Sequence, residues 1–157
     1  VKLELNSYNN LYEMVKEHSD NLKVIPSIPP VQKGYVHSGF GYRKDPFDGK
    51  VRFHYGLDFA VNTGTKIYAP ADGKIKFAGR QGGFGNVLKI DHGNGNRTLF
   101  AHLSKFKVKQ GAQVKRGDLV AISGNTGRSA GPHLHYEVHK YGTPQNPLDY
   151  FFSGYLK

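Results

Sequence analysis

After Pro26 the chain alternates apolar and polar residues in short stretches that glycines interrupt. Residues 73–79 are the clearest example, with apolar and basic side chains in turn, as in a strand that buries one face. Comparable stretches follow at 86–91, 97–102, 113–115, 119–123 and 133–139. The glycine-rich segment 92–96 between two of them is typical of a hairpin turn. No helical period follows Pro26, so the sequence predicts a mainly antiparallel β fold.

Two segments of the β region resemble each other weakly. Residues 64–75 and 111–119 each contain a short strand, a glycine turn and a second strand. This internal similarity predicts a duplicated β unit.

The N-terminal residues have a different pattern. Leu11, Val15 and Leu22 recur at helical spacing, and charged residues fill the positions between them. The proline-rich segment that begins at residue 26 ends the pattern, because proline cannot continue a helix. We therefore expect a short N-terminal helix and linker over residues 1–30, followed by a β domain over 31–157. The helix either packs on that domain or is the end of a longer coiled coil.

The composition excludes several classes of protein. The chain has 157 residues, which suits one domain with a substantial core, and its aliphatic runs are far too short for a membrane helix. It has no cysteine, so any metal must be held by histidine and carboxylate. Its net charge of +10 would attract nucleic acid, acidic lipid head groups or anionic cell-wall polymers. The chain begins with Val1, so we expect any signal peptide or membrane anchor to lie outside it.

Eight histidines are unusual for a chain of this length. Four of them have structural interpretations: His18 in the helix, His92 in the hairpin turn, and His37 and His139 without an acidic partner at an informative spacing. The other four are candidates for chemistry, together with Asp58.

Two pairs of residues have the spacing of metal ligands. His133 and His135 are two apart, so on a strand they project from one face about 6.6–6.8 Å from each other. His54 and Asp58 would be roughly 13 Å apart on an extended chain, but Gly56 between them permits a bend. Two histidines and one carboxylate, with a fourth position open to water, form the ligand set of catalytic zinc.

Three motifs occur in the order found in a known family. They are His54-x-x-x-Asp58, Phe100-Ala-His102-Leu-Ser104 and Pro132-His133-Leu-His135. In this order and spacing they resemble the LytM/lysostaphin-type zinc metallopeptidases of peptidoglycan. Residues 38–46, 69–73 and 124–127 also resemble that family, and the similarity runs from about Ser38 to Phe152.

The resemblance implies a barrel-sandwich-like β peptidase domain with one zinc ion per chain. His54, Asp58 and His135 would bind the zinc, and His102 and His133 would act in catalysis. The implied activity is hydrolysis of peptide cross-links in bacterial peptidoglycan by a metal-activated water, with histidine acid–base assistance. Such an enzyme would work in the periplasm or cell envelope, where its positive charge would hold it on an anionic wall. Nucleic acid is not an expected partner.

Two details of the mechanism stay open in the sequence. The chain lacks a His-Glu-x-x-His arrangement, so a non-ligating histidine must serve as the base, either His102 or His133. In the lysostaphin-like branch, a tyrosine before the first ligand is thought to stabilise the oxyanion, but residues 48–53 contain none. Arg43 or Arg52 could supply a cationic donor in its place.

A non-catalytic interpretation is also open. Some relatives of this family lose zinc ligands and instead activate other cell-wall hydrolases or act as scaffolds. All five implied site positions are intact in this chain, which favours an enzyme.

Overall fold

The computed structural model describes residues 20–151, which form twelve strands and two short 3-10 helices. The strands are β1 (Tyr35–Ser38), β2 (Gly41–Lys44), β3 (Val51–His54), β4 (Leu57–Ala60), β5 (Lys66–Tyr68), β6 (Gly73–Arg80), β7 (Asn86–Gly93), β8 (Asn96–Phe106), β9 (Gln113–Val114), β10 (Leu119–Ser123), β11 (Leu134–Lys140) and β12 (Thr143–Gln145). The 3-10 helices are Gly82–Phe84 and Pro147–Asp149. The predicted antiparallel β fold is confirmed.

Ten of the strands belong to one antiparallel sheet. Its main path runs β1-β4-β11-β8-β7-β6-β9, while β10 bridges β5 and β8, and β12 pairs with β11. Strands β2 and β3 form a separate two-stranded ribbon. The chain returns from this ribbon to the large sheet between His54 and Leu57, so the ribbon connects directly to β4, which lies between β1 and β11.

The two faces of the central strands bury different residues, because side chains alternate between faces along a strand. On one face, Tyr136 of β11 and Leu88 of β7 flank Phe100 of β8, and all three are fully buried. Burial of each such side chain contributes roughly 1.5–3 kcal/mol. The other face carries a smaller apolar cluster of Val87, Leu99 and Ala101, which packs against Phe77 and Phe84. The candidate chemistry lies on this second face.

The predicted hairpin is formed by β7 and β8, with a two-residue turn. Asn94 and Gly95 in that turn have φ values of 51° and 80°, the left-handed conformation that tight hairpin turns require. Both strands are longer than the sequence predicts. His92 therefore lies in β7 and is buried, so its assignment to the turn was wrong. His102 lies inside β8, which continues to Phe106.

The two similar segments supply two strands each, but the strands of one segment pair with those of the other. β5 pairs with β10, and β6 pairs with β9. The turns also meet, since the N–H of Ala69 donates to Asp118 O and the N–H of Gly117 donates to Ala69 O. Neither segment is therefore a self-contained unit.

The predicted N-terminal helix falls largely on residues 1–19, which lie outside the described part of the chain. Residues 20–22 are helical, and the segment that follows packs on the sheet. The guanidinium of Arg116 donates to Leu22 O and Ile25 O, and the Asn96 side chain donates to Val24 O. Between residues 20 and 151 no helix has the length and apolar character needed to cross a membrane. The boundary near residue 30 stays a prediction.

Candidate metal centre and catalytic site

Five predicted site residues meet where β3, β4, β8 and β11 come together. Asp58 of β4 is the direct cross-strand partner of His135 of β11, so their side chains share one face. His54 ends β3 in the ribbon, His102 comes from β8, and His133 lies one residue before β11. The sheet thus brings together residues that are up to 81 positions apart in the chain.

Gly56 allows His54 and Asp58 to approach, but not for the reason that the sequence suggested. It is not among the glycines with positive φ. A Cβ atom at this position would instead lie 2.3 Å from Tyr136 O and 2.9 Å from the Glu137 Cγ atom. Gly56 is needed because the chain crosses directly over β11, where no side chain fits.

Three atoms form a compact cluster at the centre of the site. Asp58 Oδ1 is 2.8 Å from His135 Nδ1 and 3.2 Å from His54 Nε2, and these two nitrogens are 3.2 Å apart. All three residues are buried. Two imidazole nitrogens and one carboxylate oxygen suit a divalent metal of the zinc type, and the cluster is the same set that the sequence predicts as ligands.

The charges of the cluster also suit a cation. Burial opposes ionisation of Asp58, but hydrogen bonds from His135 and His54 hold its pKa well below its ordinary value. Burial lowers the pKa of His135, but hydrogen bonds to Asp58 and Glu137 outweigh it and raise that pKa to about 9. A metal would therefore compete with a proton for His135 Nδ1, so its binding is expected to weaken at lower pH.

Each of the four rings has one nitrogen tied outside the cluster. The Nδ1–H groups of His54, His102 and His133 can donate to backbone carbonyls, at 2.8 Å to Gly39, 2.7 Å to Thr126 and 2.8 Å to Gly131. This tautomer leaves Nε2 of each ring as an acceptor on the inner side. His135 is reversed, with Nδ1 facing Asp58 and Nε2 facing Glu137 Oε2 at 2.6 Å.

His102 is held in a strained backbone conformation. Its φ of 62° is unusual for a residue with a side chain, and the β7–β8 pairing shifts register beside it. Such a bulge redirects a side chain from the regular strand position, at a cost of order 1–3 kcal/mol. Burial lowers the pKa of His102 to about 4, only partly opposed by its hydrogen bond to Thr126. His102 is therefore a neutral proton acceptor at pH 7.

His133 lies next to His102 beside the cluster. Its ring centroid is 4.7 Å from that of His102, and its Nε2 is 3.8 Å from Asp58 Oδ1. The Ser129 hydroxyl lies 3.1 Å from its Nδ1 and donates to Gly131 O at 2.7 Å, which fixes the loop that carries the ring. The two non-ligating histidines therefore flank the metal cluster together.

A cavity of about 610 Å³ opens over the cluster. Arg43 lines it, with its guanidinium 3.4 Å from Asp58 Oδ2. Arg52 instead pairs with Asp45 at 2.7 Å and Asp48 at 2.6 Å, and it is not among the residues that line the cavity. Of the two arginines that the sequence offers as cationic donors, the structure places Arg43 at the site.

Residues 52–147, more than half of the chain, match peptidase family M23. The chain belongs to this family. It is 48% identical over 122 residues to the DD-carboxypeptidase/endopeptidase Mpg of Neisseria meningitidis serogroup B, covering 78% of this chain and 28% of that protein. It is 39% identical over 126 residues to lysostaphin of Staphylococcus staphylolyticus, covering 76% of this chain and 26% of that protein. The chain thus spans less than a third of either relative.

The M23 domain also has a close structural neighbour. The crystal structure of a zinc-containing peptidase from Vibrio cholerae matches it with a TM-score of 0.73 and 40% identity, over 78% of this chain and 39% of that one. The resemblance to the LytM/lysostaphin-type family is confirmed, and so is the β fold that it implies.

Two residues of the M23 site were not predicted from the sequence. Glu137 receives hydrogen bonds from His135 at 2.6 Å and from His139 at 2.7 Å. The expectation that His139 has no acidic partner was therefore wrong. The signal was present in the sequence, because residues 135, 137 and 139 share one face of a strand.

Proposed function

We propose that this M23 domain is a zinc-dependent endopeptidase that hydrolyses peptide cross-links of bacterial peptidoglycan. The observation that carries the proposal is the convergence of four imidazoles and Asp58, in which each ring has its outer nitrogen fixed and its inner nitrogen turned toward the metal cluster or the cavity over it. A domain that only binds the cell wall has no need for two non-ligating histidines beside a metal cluster.

His54, Asp58 and His135 would hold the zinc. When bound, zinc supplies Lewis acidity to the scissile carbonyl and to the attacking water. Asp58 contributes a full negative charge through its depressed pKa, and its second oxygen contacts Arg43. The ligand set then carries one negative charge against the two positive charges of the ion, so the site stays electrophilic.

His102 and His133 would move the protons. A peptide bond is cut when water loses a proton as it attacks and the leaving amine gains one. The two rings lie next to each other at the metal cluster, with centroids 4.7 Å apart, so one can accept the first proton while the other donates the second or steadies the oxyanion. His102, with its pKa near 4, is neutral at pH 7 and suits the acceptor role.

Arg43 is the better placed of the two cationic donors for the substrate carbonyl. Its guanidinium reaches the cavity beside Asp58, whereas Arg52 is held by two carboxylates outside it. The higher identity to Mpg than to lysostaphin supports a cross-link of the DD type. An enzyme that acts on this substrate would work in the periplasm or cell envelope, where its net charge of +10 would favour an anionic wall.

The test is incubation of the domain with purified peptidoglycan of two kinds, one cross-linked through D-Ala and diaminopimelate and the other through glycine bridges. Mass analysis of the released muropeptides identifies the bond that is cut. Chelator and the His135→Ala variant serve as matched negative controls. We expect muropeptides to be released from the first substrate, and we expect chelator to abolish that release. No release from either substrate, with stimulation of an added amidase instead, would support a scaffold and overturn the proposal.

A further inference from the structure

One ring of the site differs from the other three in its outer partner. His54, His102 and His133 are each fixed by a backbone carbonyl. His135 is fixed by a carboxylate, since its Nε2 lies 2.6 Å from Glu137 Oε2. A carbonyl would orient the ring equally well, so the carboxylate calls for an explanation of its own.

Glu137 is buried, with 6% of its surface exposed. Its second oxygen accepts a hydrogen bond from His139 Nε2 at 2.7 Å. Within residues 20–151 the two histidines are the basic groups that pair with it, and no lysine or arginine does. Backbone packing closes the position, because Gly56 crosses directly over the Glu137 side chain.

A carboxylate at this position does not serve packing. The cross-strand partner of Glu137 is Leu99, which belongs to the smaller apolar cluster on the same face. An apolar residue would bury more favourably there, since a buried ion pair is often no better for stability than hydrophobic side chains of similar volume. The carboxylate is therefore explained better by what it does to His135 than by stability.

We propose that Glu137 is a positioning residue for His135 as a metal ligand, and that His139 holds Glu137 in place. When His135 donates its Nε2–H to Glu137, the lone pair of Nδ1 is directed at the cluster formed with Asp58 and His54. A carboxylate on the far nitrogen also makes the imidazole a stronger electron donor toward a metal. The proposal rests on the metal-binding part of the proposed function and does not depend on which bond the enzyme cuts.

The experiment compares the zinc affinity of five purified proteins by competition with a chelator of known affinity. They are the wild type, Glu137→Gln, His139→Ala, the double variant that combines these two changes, and Asp91→Asn. Gln keeps the shape of Glu137 and removes its charge. Asp91 is the matched control, because its carboxylate lies on the same face of the sheet and pairs with Arg97, not with a metal ligand. Cobalt substitution gives a second readout, since the visible spectrum of Co²⁺ reports the geometry of its ligands.

We expect Glu137→Gln to bind zinc 10–100-fold more weakly than wild type, as for other residues that support a metal-bound histidine. His139→Ala should weaken binding less, and adding it to Glu137→Gln should have no further effect. Both variants should shift the cobalt spectrum, whereas Asp91→Asn should leave affinity and spectrum unchanged. Melting temperatures of the metal-free proteins separate a loss of folding from a loss of metal affinity.

Zinc affinity within twofold of wild type and an unchanged cobalt spectrum in folded Glu137→Gln would overturn the proposal. Equal losses in Glu137→Gln and Asp91→Asn would also overturn it, because they would show a general effect of surface charge. If Glu137→Gln fails to fold, His139→Ala tests the proposal in its place. Unaltered metal binding in that variant would contradict the proposal that His139 acts on His135 through Glu137. A wild type that binds no zinc at all would instead refute the proposed function together with this inference.

Discussion

Two buried imidazoles on neighbouring strands show what separates a structural histidine from a chemical one. Burial lowers the pKa of both His92 and His102 to about 4, and the Nδ1 of each lies 2.7 Å from a backbone carbonyl. They differ at the other nitrogen. His92 Nε2 lies 2.8 Å from the Thr98 hydroxyl, whereas His102 Nε2 has no hydrogen-bond partner in residues 20–151 and faces the cavity.

The comparison shows that neither burial nor a shifted pKa marks a catalytic histidine. Both features follow from removing an imidazole from water. The informative feature is a ring nitrogen that the fold orients but does not engage in a hydrogen bond. Both nitrogens of His92 have hydrogen-bond partners, whereas only Nδ1 of His102 has one within residues 20–151.

The comparison predicts the largest effect at the metal cluster. Asp58→Ala should lose bound zinc and with it all measurable hydrolysis, because two imidazoles alone rarely hold zinc against water. His92→Ala should keep one zinc per chain. Metal analysis after gel filtration checks both, and full zinc occupancy in Asp58→Ala would show that the ligand set is wrong.

The next largest effect is expected at the free nitrogens. His102→Ala and His133→Ala should each keep zinc and lower turnover by roughly 10²–10⁴-fold, the usual contribution of an acid–base group. Their melting temperatures should stay near that of the wild type, because Ala at residue 102 keeps the Cβ atom that strains the φ of 62° and neither relieves nor adds to that strain. The measurement is turnover at matched zinc content. Near-normal turnover in folded, zinc-loaded His102→Ala would refute its catalytic role.

A smaller effect, of a different kind, is expected at His92. His92→Ala removes two hydrogen bonds and leaves Asp72 O and the Thr98 hydroxyl without their partner. We expect a loss of about 1–3 kcal/mol in the free energy of unfolding, with zinc content and turnover unchanged. Urea denaturation beside an activity assay tests this, and a large fall in turnover without a loss of stability would contradict the structural role.

The smallest effect near pH 7 is a dependence of stability on pH, because it develops only on acidification. The pKa of His92 is about 4 in the folded chain and near its ordinary 6.5 when unfolded. The unfolded chain therefore takes up the proton first, so stability is complete above pH 6.5, falls as the pH drops toward 4, and levels off below that. The difference amounts to about 3 kcal/mol. The free energy of unfolding, measured between pH 4 and 8, should depend less on pH in His92→Ala than in the wild type. The same pH dependence in both proteins would exclude this contribution.

The sequence predicts the centre of the site better than its surroundings. His54, Asp58 and His135 are predicted as ligands because three motifs, in their order and spacing, resemble those of the LytM/lysostaphin-type family. Glu137 escapes prediction because a buried carboxylate two residues from a ligand has no motif, although it shares a strand face with His135. The choice between Arg43 and Arg52 also needs the structure, since the two are cross-strand partners and only their tertiary contacts differ.

The sequence also predicts the fold incompletely, for a similar reason. Alternation of side chains locates the strands, but their ends depend on neighbours that local sequence does not reveal. β8 continues past His102 because β10 pairs with its last residues, and β10 comes from a distant part of the chain. At the turn end of the hairpin, pairing between Gly93 and Asn96 lengthens both strands and moves His92 from a turn into a strand. Bulges and strand ends are therefore the features that the sequence pattern misses.

The exchange of strands between the two similar segments determines how the chain can assemble. Within residues 20–151, β5 pairs only with β10, whereas β6 pairs with β7 on one edge and with β9 on the other. Both β9 and β10 are made after the whole β7–β8 hairpin. Pairing between distant segments slows folding, because chain entropy is lost in closing the loop before the contacts form. During synthesis the N-terminal half must therefore wait with open strand edges, and a fragment that ends before β9 has no complete sheet to adopt. The two similar segments can be told apart in the sequence, but they cannot fold separately.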